Sequence, residues 1–338
     1  MTIGSGSQEL RLGYAPPGSM SITHSGALAS VVIPTWNGAH LLPDCLDTLR
    51  AQTYAPLEVI VADGAATDGT AVLLRDRYPE VRLVQLLSNR GFSGNVNAGI
   101  RAARGEHILL LNNDAQADPN WVAASVATLT SDPTIGSVAS LMLNLDGQTI
   151  NTAGDALTTA GQPVQRGNGQ LVGSPWDQPA WVFGASGGAV AYRRAMLDDV
   201  GLFDEQFFMY LEDVDLAFRA QLRGWRCRYE PTARVLHQVS ATGGGRLASY
   251  YNGRNLIRVL ATNVPASLLP GILPSALRFQ AQRARSALAS WRGDEARATL
   301  RGQAAGLAAL PFHLQARIPI QRRRRVSDAH ILQLLTRA

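Results

Sequence analysis

Three carboxylates fall within four positions at Glu212-Asp213-Val214-Asp215, directly after the aromatic run Phe207-Phe208-Met209-Tyr210. Val214, Ala217, Phe218 and Leu222 recur at helical spacing and Gly224 supplies a stop, so the acids stand at the start of a helix. Acids there can simply answer the positive end of the helix dipole. A chemical role opens when three strand-end residues are read beside them. Asp63 can accept a hydrogen bond from the imide N–H of a pyrimidine. Asp114 offers an oxygen of the kind hard divalent cations take, or caps a turn. His237 is either a structural imidazole or a ligand that favours manganese over magnesium. Together they suit glycosyl transfer, in which a cation stabilises a departing nucleoside diphosphate. Asp213 or Glu212 would then take the proton of an acceptor hydroxyl.

These groups need elements to hold them. Ser30-Val31-Val32-Ile33-Pro34 reads as a buried strand, and residues 57–62, 81–86 and 107–111 as three more. Helical periodicity covers 41–49, 70–77 and 93–103, the last stopped by Gly105. Alternation at this spacing predicts an α/β fold with a mostly parallel central sheet covered on both faces. Ligands in such sheets bind beyond the carboxyl ends of the strands. Asp63, Asp114 and the loop Thr35-Trp36-Asn37-Gly38 all fall there. The Gly/Asn/Gln/Thr-rich run 144–178 suggests hairpins or a substrate-facing excursion. Residues 225–229 and 233–236 read as two short strands leading to His237, and Phe92 and Trp181 as core packing.

Charge divides the chain. From Arg246 onward there are fifteen arginines against three acids, within a net charge of +5 over 338 residues. The expected organisation is a flexible lead-in over 1–27, a catalytic domain over 28–245 and a helical basic region over 246–338. The uncharged stretch between Arg258 and Arg278 has spanning length, but Pro265, Pro270 and Pro274 argue against a regular spanning helix. With Arg322-Arg323-Arg324-Arg325 beyond it, a peripheral position on an anionic membrane surface is expected, rather than a nucleic-acid partner. Cys45 and Cys227 match no metal spacing, and their apolar settings suit a reduced, cytoplasmic environment.

The motifs resemble those of family 2 glycosyltransferases with the GT-A fold, close to the bacterial rhamnosyltransferase-like branch. They are Val32-Ile33-Pro34-Thr35-Trp36-Asn37-Gly38, Asp63 through Asp68-Gly69-Thr70, Asn89-Arg90-Gly91-Phe92-Ser93-Gly94-Asn95 through Asn97, Leu111-Asn112-Asn113-Asp114, Gly201-Leu202-Phe203-Asp204-Glu205 and Glu212-Asp213-Val214-Asp215. Each is weak alone, but their order and spacing are specific over roughly two thirds of the chain. The resemblance implies that Asp63 contacts the base, that Asn89, Gly91 and Asn97 lie along the nucleotide-sugar pocket, and that Thr35, Asn37 and Asn113 share it. It implies Asp114 as the carboxylate of the metal motif, joined by His237 on Mn²⁺ or Mg²⁺. It implies Asp213 as general base, with Glu212 beside it, in an inverting displacement. The implied donor is a dTDP- or UDP-sugar, with rhamnose the first candidate, and the implied acceptor is a glycan or lipid-linked precursor at the cytoplasmic face of the plasma membrane.

Two positions depart from the pattern. Asp63-Gly64-Ala65-Ala66-Thr67-Asp68 lacks two polar side chains usual in that motif, and Asn112 stands where many relatives carry aspartate. Asp68 suits a helix cap, and Asp215 an ion pair with Arg219 one turn on. Arg254, in Tyr250-Tyr251-Asn252-Gly253-Arg254-Asn255, can meet a diphosphate or lipid phosphate, or lie on a helix surface. Two other readings remain: a nucleotidyltransferase, which would want a basic Gly-rich loop after the first strand, and a sugar- or lipid-binding scaffold that has lost metal activation. A dinucleotide oxidoreductase is disfavoured because no G-x-G-x-x-G follows that strand.

Overall fold

The computed structural model describes residues 26–238 and 244–336; of the expected lead-in, residues 1–25 lie outside the described residues. From β1 (Ala29–Thr35) the chain alternates through α1 (Leu42–Arg50), β2 (Leu57–Asp63), α2 (Thr70–Arg77), β3 (Arg82–Gln85), α3 (Gly91–Ala102) and β4 (His107–Leu111). β5 (Ala115–Ala117) and α4 (Trp121–Ser131) lead to β6 (Ile135–Asn144). Four short strands follow, β7 (Ile150–Ala153), β8 (Asp155–Thr158), β9 (Pro163–Gln165) and β10 (Ala180–Val182). Then come β11 (Ala189–Arg193), α5 (Arg194–Val200), α6 (Glu212–Arg223) and β12 (Arg226–His237). The C-terminal part holds α7 (Gly245–Asn263), α8 (Leu269–Ala289), α9 (Asp294–Ala308), α10 (Leu310–Arg322), α11 (Asp328–Leu334) and β13 (Leu335–Thr336).

The central sheet runs β10-β12-β6-β11-β4-β1-β2-β3. Its β3-β2-β1-β4 half is parallel, whereas β11 runs antiparallel to both β4 and β6. The sheet as a whole is therefore mixed. Alternate residues of β1 serve opposite faces. Val31 and Ile33 pack with Leu42, Leu46 and Trp121, while Val32 packs with Val96, Ile100 and Leu110. Burial on both faces explains why β1 is apolar almost throughout. A third cluster joins Phe207, Phe218 and Leu222 to Val259, Ile272 and Ile331, so the C-terminal helices pack against the helix that carries the acids.

Where two short strands are expected there is one, β12, whose pairing with β6 skips between Glu230 and Arg234. Pro231 lies in that bulge, where it has no ladder hydrogen bond to give, so the proline interrupts the pattern without ending the strand. Among the described residues no single helix is long and apolar enough to cross a membrane; α7 and the segment 266–289 form a pair bent by 111°. Pro270 sits in the first turn of α8, where a missing N–H costs nothing, and only Pro274 lies inside it.

Candidate active site

Beyond the carboxyl ends of β1 and β4 lies a cavity of about 800 Å³. One side is walled by the donor-motif residues Thr35, Asn89, Gly91 and Asn113, the other by Glu212 and Asp213, with Asp114 and His237 between. Asn113 Nδ2 donates to Thr35 Oγ1 at 2.9 Å, tying the ends of β4 and β1 together. Asn89 Oδ1 accepts the Gly91 N–H at 2.8 Å and starts α3. Gly91 has φ +71°, and a Cβ there would stand 2.3 Å from the Phe208 carbonyl oxygen, so only glycine lets α3 approach the segment ahead of α6.

Three sequence-assigned residues do not line the cavity. Asn97 faces inward from α3: its amide donates to the Phe203 carbonyl at 2.8 Å, and its Oδ1 accepts the Phe203 N–H at 3.1 Å. Its place is structural, because it lies on the helix face that packs onto the Gly201–Glu205 segment. Asp63 is fully buried at the end of β2, with Oδ1 accepting the Ala66 N–H at 2.9 Å and burial raising its pKa above the usual carboxylate value. Asn37 accepts the Thr67 N–H at 2.9 Å and braces the loop beside β2. Asp68 accepts from Thr70 N and Oγ1 at 3.2 and 2.6 Å, as a cap should, and also holds the Ala39 N–H.

The acids divide by what surrounds them. Asp215 is buried and paired with Arg219 at 2.7 Å. Burial, and after it the Asp213 charge, push Glu212 well above the usual range, and its Oε2 has no hydrogen-bond partner. Asp213 is also raised by burial, but two donors oppose this: Gly187 N at 2.9 Å and Val214 N at 2.8 Å. Asp155, which lines the same cavity, is raised to about 8 by burial and by the Asp213 charge. Of these three acids Asp213 is the one whose charged form backbone donors favour, while burial disfavours charge on Glu212 and Asp155 beside it. Nothing in the sequence marks Asp155; it follows Gly154 in the irregular run, with no motif around it.

Asp114 Oδ1 is buried without a hydrogen-bond partner and lies 3.3 Å from His237 Nε2. His237 Nδ1 is 3.3 Å from Asn151 Oδ1; in the tautomer that donates to this acceptor, Nε2 presents its lone pair toward Asp114. Two electron-pair donors facing each other suit a cation, so the residues fit a divalent ion. Among the described residues no group of three or more His, Cys, Asp or Glu side chains is arranged to hold one. Asn112 Nδ2 stands 3.4 Å from His237 Nε2 where a second carboxylate would otherwise be.

Two other expectations change. Trp181 is at the sheet edge, 42% exposed, with the Arg226 guanidinium 3.3 Å from its ring centroid, and so is not core. Its edge-strand position leaves one face of the ring uncovered except by arginine. Arg254 Nη1 donates to the Gln206 carbonyl at 2.7 Å and is engaged within the protein.

The family profile described as Glycosyl transferase family 2 matches residues 30–201. The N-acetylglucosaminyl-diphospho-decaprenol L-rhamnosyltransferase of Mycobacterium tuberculosis is 30% identical, over 87% of this chain and 95% of its own. Among solved structures, the mannosyltransferase PcManGT from Pyrobaculum calidifontis, in complex with GDP-Man and Mn²⁺, superposes with a TM-score of 0.54 at 21% identity, covering 92% of this chain and 88% of that one. Staphylococcus aureus TarS 1-349 in complex with UDP-GlcNAc gives 0.52 at 17% identity, covering 87% and 89%. At such identities the two structures bear on fold alone.

Proposed function

The chain belongs to glycosyl transferase family 2, with the GT-A fold, and from that premise we propose that it moves a sugar from a nucleoside-diphosphate donor to a hydroxyl of a lipid-linked glycan precursor. Rhamnose is the first candidate, because the rhamnosyltransferase relative matches nearly end to end. The observation that carries the reading is the setting of Asp213, whose carboxylate accepts two backbone N–H groups in a cavity shared with the donor-side residues.

In the proposed step Asp213 takes the proton from the acceptor hydroxyl. That oxygen forms the new bond to the anomeric carbon from the face opposite the leaving group. The bond from that carbon to the diphosphate oxygen breaks with its electron pair, and the configuration inverts. Glu212 and Asp155 line the same cavity, and burial disfavours the charged form of both, which limits repulsion beside Asp213. Asn89, Gly91 and Asn113 border the donor, and Thr35 is fixed by Asn113. A divalent cation held by Asp114 and His237 would supply positive charge against the departing diphosphate.

A panel of nucleotide sugars with Mn²⁺ or Mg²⁺, read by nucleoside diphosphate release in the presence of polyprenyl-diphosphate-linked N-acetylglucosamine, tests this. Release that depends on the acceptor is expected for one donor; no release with any would defeat the assignment.

We place the enzyme at the cytoplasmic face of the plasma membrane. Support comes from Leu273, Leu277 and Leu288, which form one exposed stripe along α8, with Trp291 just beyond and Phe312 on α10 also exposed. The arginine cluster is partly engaged elsewhere, since Arg324 pairs with Asp328 and Arg325 with Asp199, leaving Arg322 and Arg323 outward. Flotation with vesicles containing anionic lipid should bring the protein up; no binding to any vesicle would remove this placement.

A further inference from the structure

The backbone ahead of the catalytic helix follows an unusual path. Phe208, Tyr210 and Leu211 have φ of 64°, 66° and 68°, three non-glycine residues in the left-handed region within four positions. Such a conformation is strained and persists only where neighbours over-determine it. The neighbours come from one face of α7. Asn255, fully buried, directs its amide at the carbonyls of Phe207, Met209 and Tyr210, at 3.0, 2.9 and 2.8 Å. Arg254 holds the Gln206 carbonyl at 2.7 Å, and Arg258 Nε donates to Asp204 Oδ2 at 2.9 Å. The Tyr251 ring stacks on Phe208, with centroids 5.2 Å apart and planes 16° apart. Positions 251, 254, 255 and 258 share a helix face because they recur three and four residues apart.

On its other side the same segment touches the donor half. Phe208 O accepts the Ser93 N–H of α3 at 3.2 Å, next to Gly91. At the far end of α7, Asn263 Nδ2 donates to Asp215 Oδ1 at 2.7 Å, holding the first turn of α6 as well. With Asn97 of α3 donating to Glu205 Oε1 at 3.1 Å, the segment 204–211 is gripped at every residue but Leu211 between α7 and α3, and it ends just ahead of Asp213 at the cavity. All four gripping residues of α7 lie beyond residue 201, where the family match stops.

We propose that this face of α7 is a positioning device for the base, in which Tyr251, Arg254, Asn255 and Arg258 hold the strained 204–211 path that aims Asp213 at the acceptor, with Asn255 at its centre. The inference rests on Asp213 acting as the base. Asn255 touches no reactant; it acts through the carbonyls it holds. A carboxylate of the same shape could not donate to any of the three, and would be repelled by them. The path would then relax toward right-handed conformations and turn the start of α6.

The test compares the full-length chain with its Asn255→Asp and Asn255→Ala variants, with Arg254→Gln and Tyr251→Leu as milder substitutions should the buried change prevent folding. Two readouts are taken: amide hydrogen exchange over 207–213, with α3 and β4 as internal references, and the kinetics of transfer. The expected result is exchange over 207–213 faster by about tenfold with the references unchanged. With it, kcat falls by about 100-fold while donor KM stays within about twofold, as a misplaced base requires. Unchanged exchange in that segment would overturn the proposal, as would equal loss of donor affinity and kcat. So would full kcat in a variant that is merely less stable. If the unsubstituted chain transfers no sugar yet its variants show the local exchange change, the grip stands and the glycosyl-transfer reading of Asp213 falls.

Discussion

Asp213 Oδ2 accepts the backbone N–H of Gly187 at 2.9 Å, which fastens the start of α6 to the turn that enters β11. Gly187 has little room for a side chain, since a Cβ there would meet the Phe92 ring at 3.1 Å. Asp213 is thereby fixed relative to the sheet from two sides, by this turn and by its own helix start. These backbone donors, rather than its position in the acidic run, distinguish it from Glu212.

Asp213→Asn keeps the shape and removes the proton acceptor. Transfer should fall by about 10²–10⁴-fold with donor affinity little changed. Glu212→Gln, which keeps the shape of a side chain whose charge burial disfavours, should cost far less. Steady-state kinetics of the two variants side by side decide this; a larger loss in Glu212→Gln would move the base to Glu212.

Asp155 makes stability depend on pH. Burial and the Asp213 charge raise its carboxyl to about 8 in the folded protein, well above the ordinary carboxylate value. The folded state therefore binds more protons than the unfolded one across that window, and stability must decline as pH rises through it. The slope from this group is at most about 1.4 kcal/mol per pH unit. Asp155→Asn should flatten the curve in part, leaving the contributions of Asp213 and Glu212, whose carboxyls burial also raises and which have the same sign. Thermal melts of both proteins between about pH 5 and 8 measure it. Equal pH dependence in the two would contradict the assignment.

The cation half-site predicts opposite effects from neighbouring substitutions. Asp114→Asn and His237→Gln should each weaken Mn²⁺ binding by about tenfold or more. Asn112→Asp, which adds a carboxylate beside His237 Nε2, should tighten it. Titration followed by Mn²⁺ paramagnetic resonance reads all three without needing a substrate, and unchanged binding in Asp114→Asn would remove that residue from the site.

Asp215 should matter to stability instead of chemistry. Asp215→Ala strands the buried Arg219 guanidinium, which would retain only the carbonyls of Val200, Gly201 and Leu202. Those contacts place the loss near the low end for a broken buried pair, about 3 kcal/mol. Urea unfolding checks the figure; a loss under about 1 kcal/mol would mean that the pair is worth no more than a surface one.

The parallel half of the sheet is legible from sequence because its strands are buried on both faces, and Val31-Val32-Ile33 leaves no other reading. Asp114, Asp213 and His237 are legible as cavity residues because strand ends and helix starts in such a sheet converge on one side. Asn97 is misleading for the opposite reason: its motif names the helix but not which face of α3 looks inward. Asp155 is silent because β8 is a short strand in a Gly-rich run, and its hairpin with β9 does not reveal which side chains face the cavity. The left-handed path at Phe208–Leu211 is invisible because no glycine announces it; the conformation is imposed by Asn255, more than forty positions later.

Of the ten strands in the large sheet, β12 is the last in sequence, yet it lies inside the sheet, with β6 on one side and β10 and β5 on the other. It must therefore insert rather than add to an edge. Until it does, a refolding or nascent chain presents a long bare margin along β6, open to pairing with other chains. His237 stands at the end of β12, so Asp114 and His237 come face to face only when this last strand is in place. Completion of the cavity and closure of the sheet are thus a single event, and the margin that invites aggregation is closed by the same strand that completes the site.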